Sequence, residues 1–497
     1  ILSLQKNKLK SIAVIGPNAA EATINGGGSS CLEPFSRIDP LEALHSKLGN
    51  QIEIKYEKGC ENPSYPTVIK PEYLTPSTGD GCGLWGEYFG NTELAGEPVL
   101  ARVDQKLDFW WLSAGPHKEI DGQEFSVRWS GKLKVEESGR YIFKLFNTGK
   151  CFLYIDGKMV LENSRGKEQE EEFAFGSCRE FDLTCESSYD IKVEYIKPPS
   201  EDWAIIQLLL AKVPQEETEA ASIANAVNLA RECDAAIVFA GMPKCFETEG
   251  MDRPHMALPG KQNDLIKAVA TVNPNTIVVL NCGGPVTMPW LDEVPAVLNG
   301  FYFGQEGGRA IADILFGDVN PSGKLPVTFP VRLEDTPAYI NYPGHKEVHY
   351  GERIYVGYRY YDKRDIKPLF PFGYGLSYTT FEFYDIKATD IVKIGEPCYV
   401  SVAVKNTGNY AGKEVVQLYI HDKESSLDRP LKELKAFAKV FLKPGQSTIV
   451  NFVLEERAFS FYDPYRKKWV AEPGEFEILV GGSSRDIRAR ATVRLIE

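Results

Sequence analysis

The chain has 497 residues, 43% of them hydrophobic and 25% charged, a composition typical of a soluble globular protein of about three domains. Its net charge of −13 disfavours nucleic acid or an anionic membrane as partner, because phosphate groups attract the opposite sign. No segment approaches the roughly 20 apolar residues of a membrane span, and a neutral ligand such as a sugar fits this balance.

The ten cysteines are scattered, with no C-x-x-C pair and no histidine spacing of the zinc type, so the sequence predicts no metal site. No N-x-S/T sequon and no signal peptide is visible. These features favour an intracellular protein, and secretion stays open because the chain opens at Ile1 rather than Met.

The first predicted strand is the apolar run 12–15, which the turn residues of 16–18 end. A glycine cluster, Gly26-Gly27-Gly28-Ser29, follows it. The cluster lacks the G-x-G-x-x-G spacing of dinucleotide sites, so we predict no cofactor. Two interpretations remain, ordinary turn chemistry or a substrate-side loop in which Gly27, Gly28 and Ser29 bind substrate.

Residues 61–81 are rich in Pro, Ser, Thr and Gly, which indicates a domain junction. Beyond them, to about Val213, apolar and polar residues alternate as in strands, and Asp156-Gly157 predicts a hairpin turn. Trp129 is expected in the core of this part. Because the α/β pattern resumes after Glu217, the β-rich part is an insertion.

The second half predicts an α/β domain followed by a β-sandwich. Strands at 235–240, 276–280 and 296–298 alternate with helices at 263–272 and 306–316, which favours a three-layer α/β sandwich with a largely parallel sheet. From about Tyr378, short alternating strands indicate a fibronectin III-like sandwich. The predicted domains are 1–70 and 215–376 for the two parts of the α/β domain, 71–214 for the inserted β-sandwich and 377–497 for the last domain.

The sharpest chemical signal is the loop after the apolar run 235–240, which carries Glu247, Glu249 and Gly250. A carboxylate at the carboxyl end of a strand is where α/β proteins place acid-base chemistry. Asp252 and Arg253 are interpreted as a local ion pair that holds the loop, because an adjacent arginine would lower the pKa of an acid.

Two other carboxylates receive structural interpretations. Glu306 lies at the start of a predicted helix, where the helix dipole favours a negative charge. Asp202-Trp203 follows Pro198-Pro199 in the inserted β-rich part, so we assign this aspartate no catalytic role.

Residues 12–19 with 26–29, 249–253, 304–308 with 317–326, and 370–380 form four blocks of sequence. These blocks appear in the order found in the carboxyl-terminal half of glycoside hydrolase family 3, the β-glucosidase family, which the chain therefore resembles. The inserted part further resembles a protective-antigen-type β-sandwich, the PA-fourteen module, through residues 83–89, 127–131 and 153–158. Through this insertion the chain further resembles a fungal-type subgroup of that family.

The resemblance implies a retaining β-glucosidase that acts on the terminal β-D-glucosyl residues of β-glucosides or short β-gluco-oligosaccharides. It also implies an N-terminal (β/α)8 barrel before residue 1, which carries the aspartate nucleophile and which this chain lacks. Glu249 is then the general acid/base, with Glu247 as the runner-up and a solvated loop carboxylate as the third possibility. Met251 stands where an aromatic residue is common, which leaves the leaving-group contacts open.

Phe175 is a candidate sugar contact, because sugar C–H faces pack on aromatic rings, and a core residue at a strand end is the alternative. We expect the chain alone to be inactive, since it lacks the nucleophile. A second hypothesis is a non-catalytic carbohydrate-binding or adhesive module, which the lack of an Asp-Asp pair for calcium disfavours. The sequence leaves a homo-oligomer open.

Overall fold

The computed structural model describes residues 2–62, 66–112, 114–120, 122–164, 177–250, 252–253, 255–344 and 347–497. It divides into two compact units. The first comprises residues 1–59, 223–244 and 253–497, and the second comprises 60–222 and 245–252. Phe175 and Met251 lie outside the described residues.

The first strands and α-helix of the α/β part are β1 (Ser11–Ile15), α1 (Pro40–Leu48) and β2 (Glu53–Glu57). Strands β1 and β2 are parallel, and residues 12–15 are fully buried. Gly16 ends β1 with φ +109°, and a Cβ there would lie 2.1 Å from the carbonyl oxygen of Phe239. Only glycine fits this position, so the turn in the sequence is also a close approach of two backbones.

The inserted part is a β-sandwich. Its strands are β3 (Thr67–Val68), β4 (Leu74–Pro76), β5 (Leu84–Phe89), β6 (Leu100–Asp104), β7 (Asp108–Trp111), β8 (Phe125–Leu133), β9 (Gly139–Asn147), β10 (Lys150–Ile155), β11 (Lys158–Ser164), β12 (Ser177–Leu183), β13 (Tyr189–Lys197) and β14 (Ala204–Lys212). One sheet has the order β11-β10-β13-β8-β5-β6 with β4 on β8, and the other has the order β12-β9-β14-β3 with β7 on β14.

Two local predictions for this sandwich are confirmed. Trp129 is fully buried between the sheets, and its Nε1 donates a hydrogen bond to Asp104 Oδ2 at 2.8 Å. The Asp156-Gly157 turn joins β10 to β11, with φ +48° and +76° at its two residues. Positive φ at both central residues matches the right-handed twist of the flanking strands.

The chain then returns to the α/β pattern, and the predicted parallel sheet is confirmed. The elements of this part are α2 (Glu216–Glu232), β15 (Ala235–Gly241), α3 (Gln262–Val272), β16 (Thr276–Asn281), β17 (Ala296–Asn299), α4 (Gly307–Leu315) and α5 (Tyr358–Lys363). The order of the sheet is β17-β16-β15-β1-β2, and every neighbouring pair is parallel.

Helices cover both faces of this sheet. Helices α1 and α4 contribute Leu44 and Leu315 to a core that includes Ile12 and Ile237. Helix α3 contacts β15 and β16. Successive strand residues point to opposite faces, and every residue of β15 and β16 is buried.

The last part is the predicted β-sandwich, with sheets β18-β20-β23 and β19-β27-β26-β21-β22 and a hairpin β24-β25. Its apolar core draws on both sheets. The elements are β18 (Phe381–Ala388), β19 (Ile391–Lys393), β20 (Cys398–Asn406), β21 (Gly412–Asp422), β22 (Glu433–Leu442), β23 (Ser447–Leu454), α6 (Glu456–Phe459), β24 (Phe461–Asp463), β25 (Lys468–Val470), β26 (Gly474–Ser483) and β27 (Asp486–Ile496). The multidomain α/β plus all-β class is therefore confirmed.

Buried polar contacts join this sandwich to the segment before it. Gln417 is 3% exposed, and its Nε2 donates to the carbonyl oxygens of Gly373 at 3.0 Å and Gly482 at 2.6 Å. Lys324 and Glu414 form an ion pair of 2.8 Å with little exposure on either side. The attraction between these two charges offsets part of the cost of removing them from water, and loss of either partner would leave the other charge uncompensated.

The domain boundaries taken from the sequence remain a proposal. Strand β3 pairs with β14, and the compact unit that contains the inserted sandwich begins at residue 60. Among the described residues, no helix combines the length and the hydrophobicity needed to cross a membrane.

Candidate active site

The loops at the carboxyl edge of the parallel sheet are tied together by Asn281, the fully buried last residue of β16. Its Oδ1 accepts hydrogen bonds from the backbone nitrogen of Thr23 at 2.6 Å and from Asn18 Nδ2 at 3.1 Å. Its Nδ2 donates to the carbonyl oxygens of Thr23 at 2.9 Å and Phe301 at 2.7 Å. All four hydrogen-bonding positions of the amide are thus used, which fixes the loops after β1, β16 and β17.

The loop after β15 is fixed to the same edge. Thr23 Oγ1 donates to the carbonyl oxygen of Met242 at 2.7 Å. The fully buried Gln262 brackets the end of β15, since its Oε1 accepts from Gly241 N at 2.7 Å and its Nε2 donates to Gly241 O at 2.9 Å. The carboxyl edge, where ligands of open α/β sheets bind, is therefore held by side-chain amides.

The glycine cluster lies in the loop that Asn281 and Thr23 anchor. Gly27 is buried, whereas Gly28 and Ser29 are exposed in a 3-10 turn that spans Gly28–Ser30. Gly28 has φ +68°, and Ser30 Oγ donates to the carbonyl oxygen of Gly27 at 2.9 Å. The turn thus presents Gly28 and Ser29 at the surface, and substrate binding by Gly27, Gly28 and Ser29 stays a prediction.

Residues 245–252, which carry Glu247 and Glu249, belong to the second compact unit. Glu249 is exposed and Glu247 is half-buried. Gly250 has φ +75°, a left-handed conformation that L side chains rarely adopt. This glycine sets the direction of the chain directly after Glu249.

Downstream of the carboxylate loop, the chain is fixed again in the first unit. Arg253 Nη2 donates to the carbonyl oxygen of Pro285 at 2.9 Å, and Thr287 N donates to the carbonyl oxygen of Met256 at 2.9 Å. Arg253 therefore has a structural contact to the loop after β16. The ion pair between Asp252 and Arg253 stays a prediction.

Glu306 and Asp202 lie where the sequence predicted, one at the start of a helix and the other in the inserted sandwich. Glu306 is the N-cap residue of α4 and pairs with Arg309 at 2.9 Å. Asp202 lies in the loop just before β14 of the inserted sandwich. Among the described residues, no group of three or more His, Cys, Asp or Glu side chains is arranged to hold a metal ion.

The residues that sequence reasoning missed are the amides, Asn281 and Gln262, and the hydroxyl of Thr23. One signal was available, because Asn281 is a polar residue at the end of the apolar run 276–280, directly before Cys282-Gly283-Gly284. A polar side chain at the carboxyl end of a buried strand is a candidate for loop contacts at that edge.

Three of the four family blocks are joined by hydrogen bonds within the first unit. Gly304 N donates to the carbonyl oxygen of Ile24, beside the first block, at 3.1 Å. Asn320 Oδ1 accepts from Tyr378 N at 2.9 Å, and Lys324 Nζ donates to the carbonyl oxygen of Gly375 at 2.7 Å. The blocks are thus one connected structure rather than separate motifs.

Family models match most of the chain. Residues 1–378 match the glycosyl hydrolase family 3 C-terminal domain, and residues 414–484 match the fibronectin type III-like domain. The chain belongs to glycosyl hydrolase family 3. The family that the four sequence blocks predicted is thereby confirmed.

Curated relatives of this family 3 chain are β-glucosidases. The β-glucosidase of Rhizobium radiobacter is 38% identical over 505 residues, which cover 100% of this chain and 60% of the relative. The probable β-glucosidase I of Aspergillus oryzae is 37% identical over 513 residues, with 98% and 60% covered. The family 3 chain therefore spans about 60% of the length of these relatives.

Solved structures agree with this likeness. The β-glucosidase of Kluyveromyces marxianus in complex with glucose matches with a TM-score of 0.76 and 35% identity, over 100% of this chain and 60% of that one. A β-glucosidase from Streptomyces venezuelae in complex with D-glucose matches with a TM-score of 0.68 and 32% identity, over 98% of this chain and 56% of that one.

Proposed function

We propose that this chain is the acid/base-bearing part of a retaining β-glucosidase that removes terminal β-D-glucosyl residues from β-glucosides. The observation that carries the proposal is the similarity to β-glucosidases along the entire chain, at 37–38% identity. The nucleophile is proposed to lie outside these 497 residues, on an N-terminal (β/α)8 barrel in the part of the relatives that the chain does not match.

Glu249 is the proposed proton donor. Retaining hydrolysis needs two carboxyl groups about 5 to 5.5 Å apart, one that attacks the anomeric carbon and one that protonates the leaving oxygen. Protonated Glu249 gives its proton to the glycosidic oxygen as the bond from that oxygen to the anomeric carbon breaks and the nucleophile's bond forms. The resulting carboxylate then takes a proton from water, and the oxygen of that water displaces the nucleophile.

Local structure supports this choice of carboxylate. Glu249 is exposed, and the left-handed Gly250 beside it carries no side chain that would crowd a substrate. The two ends of the loop are held by hydrogen bonds, one from Gly241 N to Gln262 and one from Arg253 to the carbonyl oxygen of Pro285. A reactive group on a loop with fixed ends loses little orientational freedom on binding, which is where much of the acceleration by enzymes originates.

The glycine turn is the proposed substrate-side surface of the α/β part. Gly28 and Ser29 are exposed, and Gly27 directly before them is buried. Backbone groups and a serine hydroxyl supply the neutral donors and acceptors that a sugar requires. Phe175, the other proposed sugar contact, would stack on the leaving group.

The test compares Glu249→Gln with Glu247→Gln in the full-length polypeptide, which includes the proposed barrel. With a dinitrophenyl β-glucoside, whose leaving group needs no proton, Glu249→Gln should retain the rate of the first step. With a simple alkyl β-glucoside, kcat/KM should fall by roughly 10²- to 10⁴-fold, the usual contribution of general acid catalysis. Glu247→Gln is the matched control and should change neither rate by much.

Two results would refute the role of Glu249. One is an equal loss with both substrates, which indicates a structural defect rather than a missing proton. The other is a selective loss with the alkyl glucoside in Glu247→Gln only, which would transfer the role to the runner-up. The 497-residue chain by itself is proposed to hydrolyse neither substrate, and measurable turnover would contradict a nucleophile located elsewhere.

A further inference from the structure

One side-chain amide bonds to both ends of the loop that carries Glu249. Gln262 Nε2 donates hydrogen bonds to the carbonyl oxygens of Gly241 at 2.9 Å and of Pro259 at 3.2 Å, and its Oε1 accepts from Gly241 N at 2.7 Å. Gly241 is the last residue of β15, and Pro259 comes three residues before Gln262. Residues 242–258, which include Glu249, therefore form a loop that this amide closes at its base.

The amide lies on a rigid element. Gln262 is the first residue of α3, and Leu265, Ile266 and Val269 of that helix are buried. Helix α3 contacts β15 and β16. Gln262 is itself fully buried, so an unpaired polar group at this position would be costly. The base of the loop is therefore fixed relative to the parallel sheet.

A second buried amide at the other end of α3 provides a comparison. Asn273 Nδ2 donates to the carbonyl oxygens of Ala230 at 2.8 Å and Cys233 at 2.9 Å, and its Oδ1 accepts from Asn275 N at 2.9 Å. These contacts lie before β15 and β16, at the amino edge of the sheet. Both amides thus join separate segments, but Gln262 does so at the edge where the loop with Glu249 begins.

The position of Glu249 decides how well it can donate a proton. A general acid must come within about 2.6 to 3.2 Å of the oxygen that it protonates. A misplacement of about 1 Å can lower a rate by about 10²-fold. If the base of the loop is loosened, the loss should fall on leaving groups that need a proton, because a dinitrophenolate departs without one. The leaving group therefore reports where the acid lies.

We propose that Gln262 is a positioning residue for the general acid. Its amide holds the base of the loop and thereby sets the reach of Glu249 to the leaving oxygen, without contact between Gln262 and the substrate. This inference rests on the proposed acid/base function of Glu249.

The experiment replaces Gln262 in the full-length polypeptide, which includes the proposed barrel. Gln262→Met keeps the length of the side chain and removes its hydrogen bonds. The kcat/KM for a simple alkyl β-glucoside should fall about 10- to 100-fold, whereas the first step with a dinitrophenyl β-glucoside should change by less than about threefold. Gln262→Glu keeps the length and an acceptor for Gly241 N, so its loss should be smaller and of the same kind. It carries the test alone if Gln262→Met does not fold.

Asn273→Leu is the matched control, since it removes a buried amide from the other end of the same helix. Urea denaturation should show a lower free energy of unfolding in both Asn273→Leu and Gln262→Met, but only the change at Gln262 should separate the two substrates. An equal loss with both substrates in the Gln262 variants would overturn the inference. A selective loss with the alkyl glucoside in Asn273→Leu would also overturn it, because destabilisation alone would then explain the effect.

A double variant separates this inference from the proposed function. In Glu249→Gln the acid is already absent, so adding Gln262→Met should lower kcat/KM for the alkyl glucoside by less than about threefold more. A further loss as large as in the single variant would show that Gln262 acts elsewhere, while the role of Glu249 stands. If Gln262→Met separates the substrates and Glu249→Gln does not, the assignment to Glu249 fails and Gln262 positions another acid.

Discussion

The side-chain oxygen of Asn281 lies 2.6 Å from the backbone nitrogen of Thr23, a residue 258 positions earlier in the chain. The whole inserted sandwich lies between these two residues in sequence. One buried amide therefore joins the two parts of the α/β domain at the edge where the proposed substrate-side turn begins.

We expect Asn281→Ala to lower the free energy of unfolding by about 2 to 3 kcal/mol, because it removes three hydrogen bonds that a buried amide makes to the backbone of Thr23 and Phe301. Urea denaturation measures the effect. Asn409→Ala, at an exposed turn position, is the control and should change stability by less than about 0.5 kcal/mol. Equal stability of the two variants would contradict a stabilising role for Asn281.

The proposed acid/base role predicts rescue by an external anion. In Glu249→Ala, a dinitrophenyl β-glucoside should still form the covalent intermediate. Hydrolysis of that intermediate should then be slow, because no general base activates the water molecule. Azide needs no base, so it should raise turnover roughly tenfold or more and yield a β-configured glucosyl azide, identified by NMR. Glu247→Ala is the control and should show no such rise. An α-configured product would contradict the retaining mechanism.

The joint between α5 and the C-terminal sandwich depends on Asp362, whose side chain is 3% exposed. Its carboxylate binds Lys432 Nζ at 2.6 Å and Arg485 Nε at 2.7 Å. Asp362→Ala should lower the free energy of unfolding by about 3 kcal/mol, because the largely buried Lys432 and the half-buried Arg485 both lose a buried partner.

The nearby pair of Lys363 and Asp428, also 2.6 Å apart but exposed, provides the control. Asp428→Ala should cost less than about 1 kcal/mol, since solvent screens an exposed pair. Urea denaturation of both variants checks the difference, and a similar loss in both would show that burial does not decide the strength of these contacts.

Lys144 gives the inserted sandwich a pH-dependent stability. Burial of the side chain, which is 4% exposed, lowers its pKa from 10.5 to about 8. Between about pH 8 and 10.5 the unfolded chain holds a proton that the folded chain has released. The free energy of unfolding therefore rises with pH across this window, and below it the folded protein bears the cost of a buried charge.

Lys144→Met should remove this dependence and raise the free energy of unfolding at pH 7 by about 2 to 3 kcal/mol. Urea denaturation between pH 7 and 10 measures both effects. Lys150→Met, at an exposed position of β10, is the control and should keep the wild-type slope. A Lys144→Met variant that is less stable at pH 7 would show that the charge is stabilised in the folded state.

Local patterns in the sequence were enough for most strands of the parallel sheet, for the two β-rich parts and for the family, but they did not predict α1, β2 or α5. The apolar runs that became β1, β15 and β16 are short and punctuated by turn residues, so burial on both faces follows from composition alone. The Asp156-Gly157 hairpin needs only its own two residues. The order of the four family blocks gave the family, and with it the proposed role of Glu249.

Only the tertiary structure decided which distant side chains meet. The hydrogen bonds of Asn281, the ion pairs of Asp362 and the ring contact between Trp110 and Phe146 each join residues that no local periodicity relates. Helical and strand periods specify which face of an element is apolar, but they do not specify its neighbour. That choice follows from packing the whole chain, because a buried polar group is stable only where a partner from another segment satisfies it.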